Sequence, residues 1–195
     1  YERRADNDCR WEYDNFEWHL EYRMSTLELK ELSHPAGEVI KIAAGKTLDL
    51  KTQGSVTMPT GSVLQVLLVE DSSAMALTTD TYTDTNLSLT ITPSSTSSKI
   101  LAFWNVQASV TATASGWGTR LVRESTNIFT STTLYAQYAA TPTSQRQSAD
   151  YKHLDSPNTA SAITYKVQVA SYYSRSVNFN DDGNQTQLVL MEIQG

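Results

Sequence analysis

From Ser62 onward, apolar and polar residues alternate with the period of a β-strand. Ile100–Val110 is the clearest case. Ile100, Ala102, Trp104, Val106, Ala108 and Val110 share one face; Leu101, Phe103, Asn105, Gln107 and Ser109 share the other. Leu87–Ile91 sets Leu87, Leu89 and Ile91 against Ser88 and Thr90, and Pro93-Ser94-Ser95 ends it. Ile163–Tyr173 sets Ile163, Tyr165, Val167 and Val169 against Lys166, Gln168 and Ala170. Gln187–Ile193 groups Val189, Met191 and Ile193 on one face, and the nearly continuous apolar run Ser62–Val69 reads as a buried strand. Thr119–Arg123, Asn127–Phe129 and Thr133–Tyr138 are weaker strands. The polar connection Ala139–Pro157 holds an edge strand near Ser148–Leu154. Gly116-Trp117-Gly118 reads as a turn, and Asn180-Asp181-Asp182-Gly183-Asn184 is the sharpest turn signal in the chain.

Strands at this spacing, with no helical pattern after Pro35, predict an all-β jelly-roll-like sandwich over residues 62–195. Leu101 and Phe103 point away from Trp104, so both faces of that strand are partly apolar. That suits a subunit packed against neighbours.

Residues 37–61 differ. Gly37, Gly45, Gly54 and Gly61 separate short apolar pieces: Val39–Ile42, Leu48–Leu50 and Val56–Met58. Each is too short to bury an apolar face alone, which points to a β stalk intertwined with other copies. Residues 1–36 differ again. Trp11, Tyr13, Phe16, Trp18 and Leu20 crowd an acidic stretch, and Asp14-Asn15 with Glu17 predicts the start of a short helix over Phe16–Leu29. Disordered tails are poor in aromatics. The segment therefore reads as a docking element, and its acids select a partner with basic sockets.

Composition narrows the function. The chain of 195 residues has a net charge of -6, 39% hydrophobic and 18% charged residues, and is rich in Ser and Thr. Acidity without a basic stripe argues against nucleic acid. No apolar run reaches membrane-spanning length, and Tyr1–Arg23 carries no secretory core. A single cysteine, Cys9, excludes an intrachain disulfide and reads as an idle thiol. No cofactor motif or clustered metal ligands stand in the sequence; His34, at the mouth of the stalk, is the one position where an oligomer could gather histidines on its axis. Asp150, His153, Asp155 and Ser156 match a catalytic triad in composition alone, without a nucleophile elbow, so no enzyme activity is expected. Aromatic rings on loops suit sugar stacking. The candidates for contact with a host surface glycan are Trp117, Tyr135, Tyr138 and Tyr151, followed by Tyr172 and Tyr173.

The strings LSLTITPSSTSSKIL (87–101), MSTLELK (24–30), GSVTMPTGSVLQV (54–66), NTASAITYKVQV (158–169) and the ending LVLMEIQG resemble short tail-fibre-like and structural virion proteins of marine and cyanobacterial phages. The resemblance covers Met24 to Gly195. It implies a virion location and a homotrimer with a stalk and a β head. The N-terminal aromatics would then dock on other virion proteins. Members of that family often begin at the equivalent of Met24, so Tyr1–Arg23 is an addition to the pattern.

Overall fold

The computed structural model describes residues 44–45, 58–110, 113–131, 136–140 and 145–195. The expected helix over Phe16–Leu29, the docking residues Trp11, Tyr13, Phe16, Trp18 and Leu20, Cys9, His34, Tyr135 and most of the 37–61 stretch lie outside these residues. The described strands all belong to one compact unit, Gly54–Gly195.

That unit is a sandwich of two antiparallel sheets. The larger sheet is organised around β4 (Lys99–Val110), the strand with the cleanest alternation. Along one edge β4 pairs with β8 (Gln145–Asp155) over its full length. Along the other edge its first half pairs with β11 (Thr186–Ile193), which pairs in turn with β1 (Val63–Asp71). Its last residues pair with β10 (Val177–Phe179), which carries β2 (Met75–Leu77). The second sheet runs β3 (Thr83–Ile91), β9 (Ile163–Ser171), β5 (Ser115–Arg123), β6 (Thr126–Thr130), with β7 (Gln137–Ala139) also on β5.

The core lies between the sheets. The even-numbered face of β4, Ile100 to Val110, is buried. It meets Leu188 and Leu190 from β11 and Tyr165, Val167 and Val169 from β9. Trp104 stacks on Tyr151 at 5.4 Å and meets the edge of Phe129 at 5.2 Å. Its indole N–H donates to Thr119 Oγ1 (3.3 Å), tying the two sheets together.

Two polar groups lock the sandwich from within. Asp155, at the end of β8, accepts both 2.9 and 2.7 Å bonds from Arg123 Nη1 and a 2.6 Å bond from Tyr165 O–H. Burial, and then the hydrogen bond to Asp155, push the Tyr165 phenol far above its ordinary pKa. Glu192, 1% exposed, accepts bonds from Ser94 N–H (2.7 Å), Ser94 Oγ (2.6 Å), Ser98 Oγ (2.7 Å) and Gln65 Nε2 (2.6 Å). These donors pin the β3–β4 loop across the end of the sandwich. Burial works to raise the Glu192 pKa, but the bonds from Ser94, Gln65 and Ser98 outweigh it and hold the carboxyl below its ordinary value.

Two expectations need correction. Gly116-Trp117-Gly118 is not a turn: it runs through β5, and Trp117 is fully buried. Its N–H donates to Gln137 Oε1 at 2.8 Å and its ring meets Phe179 edge-on. Gly116 is needed because the paired strand β7 lies so close that a Cβ there would collide with the Gln137 carbonyl. The run at Ser62–Val69 is a strand, yet not buried on both faces: Val66 is 54% and Leu68 53% exposed.

Candidate interaction surfaces

The two outer faces of the sandwich differ in chemistry. On the outer face of the smaller sheet, polar side chains bond to one another. Asp84 pairs with Lys166 (2.8 Å) and accepts from Gln168. These bonds, Lys166 first and then Gln168, hold the Asp84 carboxyl below its ordinary pKa. Arg120 donates to Gln168 Oε1 (2.5 Å) and covers the Tyr82 ring, while Thr90 and Thr164 share a 2.9 Å bond. Such a surface is suited to water.

The outer face of the larger sheet is apolar over β1, β11 and the first half of β4. Strand register aligns its side chains in rows. One row reads Val66, Met191, Leu101, Leu154 across β1, β11, β4 and β8. The next reads Leu68, Val189, Phe103, Lys152. Val63 and Ile193 extend the patch on one side, next to Lys99. On the other side a polar row, Glu70, Gln187, Asn105 and Asp150, closes it. Val63, Val66, Leu68, Phe103 and Leu154 are among the exposed large hydrophobic residues of the described chain. At ordinary strand and residue spacings the apolar rows cover about 300 Å² in projection. A contiguous patch of that size is comparable to the largest on a typical monomer, and such patches often serve in contacts.

A second feature lies on the smaller sheet beside β7. Tyr138 meets Tyr172 edge-on at 5.6 Å, and Tyr172 lies 4.2 Å from Tyr173. Tyr138 and Tyr173 are 45% and 70% exposed. Tyr173 and Ser174 both have left-handed backbone (φ 50° and 53°), a conformation that costs non-glycine residues energy and concentrates at binding sites.

The structure sorts the other sequence candidates. Trp117 is withdrawn as a glycan contact because it has no exposed surface. Tyr151 is half-buried in β8 against Trp104 and Phe129, and burial raises its pKa. It serves the core rather than a loop. Tyr138 is brought together with Tyr172 and Tyr173. Asp150, His153 and Asp155 do not converge: Asp150 faces outward, His153 lies against Phe129, and Asp155 holds Arg123. Asp181 and Asp182 both pair with Arg146, which fixes the turn onto β8. Among the described residues no group of His, Cys, Asp or Glu is arranged to hold a metal ion, and no helix is long and apolar enough to cross a membrane.

A cavity of about 230 Å³ opens beside Asp71, Asp84 and Asn180. Burial works to raise the Asp71 pKa, but bonds from Ser73, Asn86 and Asn180 outweigh it and lower it. Those bonds already occupy the carboxylate.

No family model matches the sequence, and no curated protein matches it. Among solved structures, similar chains include the D431N mutant VP2 protein of infectious bursal disease virus in derived T=1 particles. It shows 11% identity and a TM-score of 0.41, over 75% of this chain and 40% of that one. The infectious bursal disease virus Gx strain gives 8% and 0.37, over 75% and 42%. Dimeric latent PorU from Porphyromonas gingivalis gives 9% and 0.28, over 71% and 14%. The match thus spans about two fifths of the viral chains.

Proposed function

We propose that this chain is a structural subunit of a phage virion. It is a non-enzymatic, homotrimeric fibre, spike or capsid-surface knob whose residues 1–36 dock on other virion proteins and whose sandwich is an outward head. The observation that carries this reading is the unequal chemistry of the two outer faces. The outer face of the smaller sheet is hydrogen-bonded, whereas that of the larger is apolar over β1, β11 and the first half of β4. A face of that kind supports a subunit built to be packed in an assembly. The phage-protein strand text in Leu87–Leu101 and the C-terminal ending supports the virion as that assembly.

The tyrosine cluster at Tyr138, Tyr172 and Tyr173 suits weak contact with a host surface glycan, since a ring stacks on a pyranose face. Several heads on one particle raise the effective concentration, so each contact can be weak. A glycan array tests this. The native head binds a subset of surface glycans, and Tyr173→Ala loses most of that signal while keeping its melting temperature. No binding by the native chain would leave a decoration protein that recognises no receptor.

A further inference from the structure

We infer that the apolar outer face of the β8-β4-β11-β1 sheet is covered by the same face of a second copy, turned end for end. This rests on the proposed self-association and adds its surface and symmetry. Three features of the face select that occupant. The first is width: four strands span about 19 Å, whereas a helix covers a stripe of about 10 Å. A sheet of equal width covers the whole patch. The second is extent: with its flanking rows the face projects about 450 Å², the same order as the roughly 800 Å² per partner of a stable pair. An apolar centre with polar margins is also how such interfaces are built.

The third feature is charge. Lys99 stands at one margin of the patch, and Glu70 and Asp150 stand at the other, with Lys152 beside Asp150 at the β8 edge. Turning one copy end for end lays the Lys99 margin of each over the acidic margin of the other. Stacking the two copies in the same direction would set acid margin against acid margin. The arrangement is therefore self-complementary, and it joins copies in twos. In a trimeric molecule this contact would link one trimer to another.

Phe103 and Lys99 point away from the core, so the fold tolerates changes there. The experiment measures the mass of the full chain in solution against concentration, for the native chain and three variants. The native chain gives an even number of chains. Phe103→Glu halves that number or weakens association at least tenfold, with an unchanged circular dichroism spectrum. Lys99→Glu weakens association, and adding Asp150→Lys to it restores the native value. A native trimer unaffected by Phe103→Glu would overturn this inference and leave self-association standing. An odd count that Phe103→Glu reduces would also overturn the pair, because the face would then meet a different surface. A native monomer would overturn both the inference and the proposed self-association, whether the face meets another virion protein or the chain's own residues.

Discussion

At the scale of single residues, the buried polar groups make the most specific claims. Glu192 sits among four hydrogen bonds that its charged form accepts. Its pKa is held below the ordinary 4.5, so its contribution is fully present above that pH and is lost as pH falls through the lowered folded value. Glu192→Gln should flatten the acid side of the stability profile, measured by urea unfolding from neutral pH downward. It should also cost about 1–3 kcal/mol at neutral pH, because its new amide faces Gln65 as donor against donor. Trp117→Ala should cost about 3–5 kcal/mol in the same assay, the loss expected of a fully buried tryptophan. Neither role was legible beforehand. Glu192 finds its donors in Ser94 and Ser98, and nothing local in QLVLMEI announces serines so far away in sequence. Trp117 between two glycines has the local signature of a turn; only the close approach of the paired strand β7 explains why Gly116 belongs in a strand.

At the scale of strands, alternation told most of the story. The faces of β4, β3 and β9 lie as their periodicity predicts, because each has one face on the core and one face away from it. The reading of β8 as an edge strand also holds: among the described residues it pairs with β4 alone. The face of β11 that packs inward carries Leu188, Leu190 and Glu192, so Val189, Met191 and Ile193 are the outward set. The β1 run misled for a physical reason. A strand apolar on both faces looks the same in sequence whether its second face meets the same domain or another molecule. Leu68→Thr separates the two cases. It should change the unfolding free energy by under about 1 kcal/mol, since the side chain is half exposed. It should nonetheless weaken self-association. A strand buried on both sides would lose several times more stability.

At the scale of the whole molecule, the sandwich class was readable from strand spacing, while the use of its surfaces was not. Register decides which apolar residues line up into one patch, and register depends on partners that are far apart in sequence. The tyrosine cluster was half visible for the same reason: Tyr138 and Tyr172 are separate in sequence and meet through β7, β5 and β9. Removing residues 1–36 should leave a folded head that no longer joins the particle, tested by adding the shortened chain during assembly and assaying purified virions. The most direct measurement is of those virions themselves. Mass spectrometry of purified particles should find the chain at fixed stoichiometry, and antibodies against residues 62–195 should label the particle surface. A chain abundant in infected cells but missing from purified particles would contradict the account.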